Sequence, residues 1–175
     1  KAGAFWQRHK NAPKVLTETF LNFAELRPGE HLLDLYGGVG LFTAVALPKL
    51  GKSGKVELLE GSKVAIASAR ENFKKDSNVN VIEGDVAKSL RNISKADVIV
   101  LDPPRAGAGA EVVNEILRIA PSRIVYIACD PASLARDVAH FAKSGWKMEK
   151  LLAFDLFPMT QHIESACLLR PIKVS

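Results

Sequence analysis

An α/β fold, doubly wound about a mostly parallel seven-stranded sheet with helices on both faces, is predicted by three observations. Short, nearly continuous apolar runs alternate with segments of helical spacing, the pattern of strands buried on both sides. A glycine turn, Gly37-Gly38-Val39-Gly40, separates the first run from the helix after it. Finally, successive runs end in a polar or reactive residue, namely Asp34, Glu60, Asp85, Asp102 and Cys129. In such sheets ligands bind at the carboxyl ends of the strands.

The elements follow in order. From residue 11, with Pro13 in the first turn, the spacing of Val15, Leu16, Phe20, Phe23 and Leu26 gives a helical face that ends before Pro28-Gly29. A strand at 32–35 leads into the glycine turn, and a helix runs from there to about Leu50. Gly51-Lys52-Ser53-Gly54 turns the chain into a strand at 55–60, followed by a helix-compatible segment at 62–75. Strands at 79–83 and 97–101 come next, then a helix at 111–120 and a strand at 123–128. Pro131 opens a helix that reaches Lys143, and the tail carries strands at 146–154 and 164–169.

Composition narrows the classes. With 47% hydrophobic and 25% charged residues, the 175-residue chain can bury the core of one domain. No apolar stretch is long enough to span a bilayer, and residues 1–14 lack the apolar centre of a signal peptide. Two cysteines, Cys129 and Cys167, are too few for a disulfide framework or a structural zinc site. No metal site is therefore expected, and a reducing cytoplasm is the expected location. The net charge of +5 suits a polyanionic partner, although the lysines form no block and plain solvation accounts for them as well.

The glycine turn opens a βαβ unit of the nucleotide-binding kind, in which Gly38 and Gly40 let the backbone bend sharply and approach a ligand. Thr43 stands where the third glycine of a dinucleotide fingerprint would be, which disfavours a nicotinamide dinucleotide. Glu60, twenty residues after Gly40, can accept from ribose hydroxyls or be a solvated strand-end acid. Asp85 can accept from an adenine amino group or complete a Gly-Asp turn. Asp102-Pro103-Pro104-Arg105 is a stiff loop that aims its acid and its base, because two successive prolines fix the backbone.

Cys129 ends the apolar run 123–128 and precedes a helix start. It is either a packed thiol or a nucleophile whose thiolate is favoured by the helix N-terminus. Cys167 lies in an apolar run and reads as core. His162 is a base by residue type, in a loop that also suits plain solvation. Glu164, flanked by Ile163 and Ser165-Ala166, can be partly buried, which would raise its pKa into a range useful for proton abstraction.

Taken as a set, Phe5-Trp6-Gln7, Asp34-Leu35-Tyr36-Gly37-Gly38-Val39-Gly40, Asp102-Pro103-Pro104-Arg105-Ala106-Gly107, Tyr126-Ile127-Ala128-Cys129-Asp130-Pro131 with Leu134-Ala135-Arg136-Asp137, and Phe157-Pro158 to His162-Ile163-Glu164 resemble the S-adenosylmethionine-dependent uridine-5-methyltransferases of transfer and ribosomal RNA. The resemblance covers essentially the whole chain in the family's order. It implies a class I, Rossmann-like methyltransferase fold and S-adenosyl-L-methionine as cofactor. It also implies structured RNA as the partner, with no obligate protein partner and no membrane.

By the same resemblance Cys129 attacks carbon 6 of the target uracil and Glu164 removes the carbon 5 proton. Gln7, Tyr36, Gly38, Gly40, Glu60, Asp85 and Asp102 would line the cofactor, with Asp102 also near the uracil. Residues 1–175 would be a catalytic domain, a fragment of a longer chain, without the N-terminal RNA-binding β-barrel that family members usually carry. The family often has Cys, Asn and Asn where this chain has Gly37, Leu41 and Asp130; Asp130 adds a negative charge expected to oppose thiolate formation at Cys129. An amino-group nucleic-acid methyltransferase using the Asp-Pro-Pro loop is the rival enzyme, disfavoured by Arg105 where such loops end in an aromatic. A silent RNA-binding module is the rival from outside enzymology.

Overall fold

The computed structural model describes residues 12–155 and 164–172. Its seven strands are β1 (His31–Leu35), β2 (Lys55–Glu60), β3 (Val79–Glu83), β4 (Val98–Leu101), β5 (Arg123–Ala128), β6 (Trp146–Phe154) and β7 (Glu164–Pro171). They form one sheet in the order β3-β2-β1-β4-β5-β7-β6. The first five are parallel, and β7 inserts antiparallel between β5 and β6. The strand order reverses between β1 and β4, which opens a crevice at their carboxyl ends.

Alternation along each strand sorts side chains onto two cores. Leu33, Leu35, Ile99, Leu101, Ile124 and Tyr126 face one side, where α4 (Val86–Leu90), α5 (Gly109–Ile119) and α6 (Pro131–Lys143) supply Leu90, Ile116 and Phe141. Leu32, Val98, Val100, Val125 and Ile127 face the other, against Leu16 and Phe20 of α1 (Ala12–Ala24) and Phe42 and Leu50 of α2 (Leu41–Leu50). The Phe20 and Phe42 rings meet edge to face at 5.2 Å. On the same side as α1 and α2, α3 (Lys63–Asn72) packs Ala69 and the following Phe73 on Leu58.

Every strand and helix read from the sequence is present, with ends shifted by a few residues. Helix α3 is shorter than the segment 62–75, because Ser62 caps its start and Phe73 turns inward at its end. Helix α4 has no counterpart in the sequence reading. Its five residues are too few to show a period, and it is held by burial of Val86, Ala87 and Leu90 and by the Asp85 cap.

Candidate active site

At the end of β1 the chain makes a tight left-handed passage, with positive φ at Tyr36 (59°), Gly38 (57°) and Gly40 (93°). The two glycines have different reasons for being there. A Cβ on Gly38 would meet nothing within 4 Å, so the space beside it is open for a ligand. A Cβ on Gly40 would overlap the Phe73 ring, so this glycine serves the packing of α3. That corrects the expectation that both glycines clear room for a ligand.

Asp34, just before the turn, is buried, and its Oδ2 accepts from the Thr43 amide (3.0 Å) and hydroxyl (2.7 Å). Its Oδ1 is buried with no protein partner. Burial pushes its pKa up to about 6 against those two hydrogen bonds. Glu60 closes the turn from β2: its Oε2 accepts from the Gly38 amide (3.0 Å) and its Oε1 from the Ser62 amide (2.6 Å). Asp85 accepts from the Lys88 amide (2.9 Å), so the carboxylate read as a ligand contact or a turn residue is also a helix cap. Tyr36 is half-buried, and burial pushes its hydroxyl up to about 12.

The second half of the site lies across β4, β5 and β7. Asp102 leaves β4 with its amide bonded to the Leu35 carbonyl (3.3 Å), which sets it beside Tyr36. Burial first, then the charges of Glu164 and Asp34, push its carboxyl up to about 7. In the β5–β7 pair Ala128 faces Ser165, so one further step of the antiparallel register brings Cys129 opposite Glu164. Glu164 is buried and its pKa is raised by that burial, while Arg105 opposes the rise.

Cys129 is partly accessible. Its thiol is raised above its ordinary value by burial and then by Glu164 and Asp102; Arg105 and the residue's own backbone amide pull it the other way. Two expectations are corrected here. The start of α6 does not leave Cys129 with a depressed pKa, because burial and two carboxylates outweigh it. Nor is Asp130 what opposes the thiolate. Its carboxylate caps α6 through the Ser133 amide (2.7 Å), and the opposing charges come from strands distant in sequence.

Cys167 is buried as expected, its thiol pushed up to about 12. Gln7 and His162 lie outside the described residues. The sequence reading gave no role to Thr43 as the partner of Asp34, and none to Tyr126 or Asp137. Asp137 had a visible signal, since it occupies the apolar stripe of α6 together with Leu134 and Phe141. Among the described residues no cluster of three or more His, Cys, Asp or Glu could hold a metal ion, and no helix is long and apolar enough to cross a membrane.

The strand order, the glycine turn and the acids at the carboxyl ends of β1, β2 and β4 define a class I methyltransferase fold. A precorrin-6y C5,15-methyltransferase from Geobacter metallireducens shares it at a TM-score of 0.73, with 17% identity, over 99% of this chain and 93% of that one. The sequence profile of the tRNA (uracil-5-)-methyltransferase family matches residues 2–172, and the chain belongs to that family. The crystal structure of Pyrococcus abyssi tRNA (uracil-54, C5)-methyltransferase in complex with S-adenosyl-L-homocysteine matches with a TM-score of 0.75 and 31% identity, over 95% of this chain and 40% of that one. A protein of Streptomyces avermitilis named as an uncharacterized RNA methyltransferase is 42% identical over 172 residues, 97% of this chain and 40% of that protein. The chain thus spans about two fifths of the length of these two relatives.

Proposed function

We propose that residues 1–175 are the catalytic part of an S-adenosyl-L-methionine-dependent enzyme that methylates carbon 5 of a uridine in tRNA or rRNA, with Cys129 as nucleophile and Glu164 as base. The observation that carries the reading is the register of β5 and β7, which sets a partly accessible cysteine opposite a buried glutamate at the carboxyl edge of the sheet.

The residues present fit the cofactor. S-adenosyl-L-methionine offers hydrogen-bond donors in its ammonium, ribose hydroxyls and adenine amino group. The site offers acceptors in Asp34 with its unpartnered Oδ1, Glu60, Asp85 and Asp102, with open space at Gly38. Tyr36, Gly38, Glu60, Asp85 and Asp102 would line it, joined on the family's pattern by Gln7. When bound, the cofactor supplies a methyl group on a sulfonium, electrophilic enough for carbon 5 of an activated uracil to take.

Activation is the task of this chain's own residues. Cys129 Sγ, after losing its proton to solvent, bonds carbon 6 of the uracil, and the carbon 5–carbon 6 π electrons move toward the carbon 4 oxygen, which makes carbon 5 nucleophilic. Once carbon 5 carries the methyl group, the Glu164 carboxylate takes the proton from carbon 5. Those electrons restore the carbon 5–carbon 6 double bond, and the Sγ–carbon 6 bond breaks. The raised pKa of Glu164 suits a base of this kind, and the target base has to be unstacked to reach the pocket.

The test uses the full-length protein, S-adenosyl-L-methionine and RNA containing 5-fluorouridine, read by intact mass. Fluorine cannot leave as a cation, so an adduct of protein, RNA and methyl group accumulates, and Cys129→Ala abolishes it. Methylation that survives Cys129→Ala overturns the covalent reading. Absence of an adduct on RNA that binds points to amino-group methylation or a silent binding module.

A further inference from the structure

Helix α5 has no cap of its own. Its N-cap residue is Ala108, and the first amides are met instead by an acid from another helix: Asp137 Oδ2 accepts from Ala108 N (2.8 Å) and Gly109 N (3.4 Å). The same oxygen accepts from the Tyr126 hydroxyl (2.7 Å), which in turn accepts from Ala108 N (3.0 Å). Arg136 completes the cluster, donating to Asp137 Oδ1 (3.1 Å) and to the Ala106 carbonyl (2.6 Å). Gly107 fits beneath it at φ +82°, where a Cβ would come within 2.6 Å of both Asp137 Oδ2 and Arg136 Nη2.

The two sides of this cluster belong to the two halves of the site. Tyr126 is three residues before Cys129, and Asp137 is eight residues after it, on the helix that Cys129 leads into. What they grip, Ala106 to Gly109, is the far end of the loop that carries Asp102 and Arg105. The Asp137 side chain is only 3% exposed, so the bonds act with little screening by water. Arg105 is the cation that opposes the rise in both Cys129 and Glu164, and a charge acts according to its distance.

We propose that Asp137 and Tyr126 form a buried latch that holds the loop 102–107 in place beside Cys129, which makes Asp137 a positioning residue for the methyl-transfer reaction. The role of Cys129 as nucleophile is the part of this that rests on the function proposed above. With the latch broken, Arg105, next to the freed end of the loop, moves away from the thiol, while Asp102 stays tied to β1 through the Leu35 carbonyl, so Glu164 and Asp102 act on the thiol with less opposition.

The experiment uses full-length protein carrying Asp137→Ala, Asp137→Asn or Tyr126→Phe, with two readouts. One is the rate of iodoacetamide alkylation of Cys129 against pH, followed by peptide mass. The other is kcat and KM for methylation of RNA. Asp137→Ala is expected to move the alkylation midpoint up by about half a pH unit or more and to lower kcat by about tenfold or more, with KM for S-adenosyl-L-methionine within about twofold of wild type. Tyr126→Phe shifts both in the same direction by less, and Asp137→Asn, which keeps an acceptor, falls between.

A lowered melting temperature with an unchanged alkylation midpoint and unchanged kcat overturns the latch and leaves Asp137 a structural cap. If Asp137→Ala does not fold, Tyr126→Phe decides by the same criteria. If wild-type protein methylates no uridine, the proposed function fails, while the alkylation midpoints still decide the latch.

Discussion

Thr43 donates twice to one oxygen of Asp34, from its amide at 3.0 Å and from its hydroxyl at 2.7 Å. The pair joins the end of β1 to the first turn of α2 and fixes the glycine turn from both sides. Thr43→Val keeps the shape and the amide bond but removes the hydroxyl donor from a fully buried carboxylate. The expected loss is about 1.5–3 kcal/mol at pH 7, read as a lower urea midpoint with an unchanged slope. A midpoint equal to wild type would show that the hydroxyl bond contributes nothing net.

Asp102 makes stability depend on pH in a definite direction. Its folded pKa is raised from 3.8 to about 7, so the folded state holds the proton more tightly than the unfolded chain does. The contribution is full below pH 4 and is lost as pH rises through about 7. Asp102→Asn does not titrate. Relative to wild type it is expected to match at pH 4 and to be more stable at pH 8, by on the order of 2–4 kcal/mol. Denaturation at the two pH values checks this, and equal differences at both would be inconsistent with a raised Asp102.

Gly38 and Gly40 separate ligand space from packing space. Gly40→Ala meets the Phe73 ring on a left-handed backbone, and a loss above about 2 kcal/mol is expected, with the double variant carrying Phe73→Ala losing less than the two single losses added together. Gly38→Ala has only the backbone strain, about 1 kcal/mol, and its larger effect is expected on binding of S-adenosyl-L-homocysteine. Thermal melts and calorimetric titration of the two variants distinguish the roles. The prediction fails if Gly40→Ala melts like wild type.

Burial and, after it, the charge of Glu164 hold the Cys129 thiol up. Glu164→Gln removes that charge while keeping the side chain's size, so the thiol pKa falls and alkylation at pH 8 is expected to speed up by about threefold or more. The same variant is expected to lose methylation, since the amide cannot take the carbon 5 proton. Slower alkylation would mean that Glu164 helps form the thiolate rather than opposing it.

Strands β1, β2, β4, β5 and β7 were legible because each is built around an apolar run bounded by its own breakers, and the acids at the strand ends followed from position alone. Glu164 was legible in the same way, as an acid among small and apolar neighbours. Helix α4 was not, because five residues draw their stability from the sheet beneath them and from the Asp85 cap. Thr43 looked like a glycine missing from a fingerprint, since nothing local says that its hydroxyl meets an acid nine residues earlier.

The sequence by itself determined the α/β class, the glycine turn, the set of polar residues at the carboxyl edge and the family to which they belong. All of these are written in short-range pattern, which burial and backbone geometry read locally. Only the tertiary structure decided that Cys129 faces Glu164, that its thiol is raised rather than lowered, that Gly40 answers to Phe73, and that Asp137 binds the loop after Asp102. Each of these depends on groups far apart in the chain whose separation is set by strand register and helix packing. Electrostatic energy and steric overlap vary with that separation rather than with distance along the sequence.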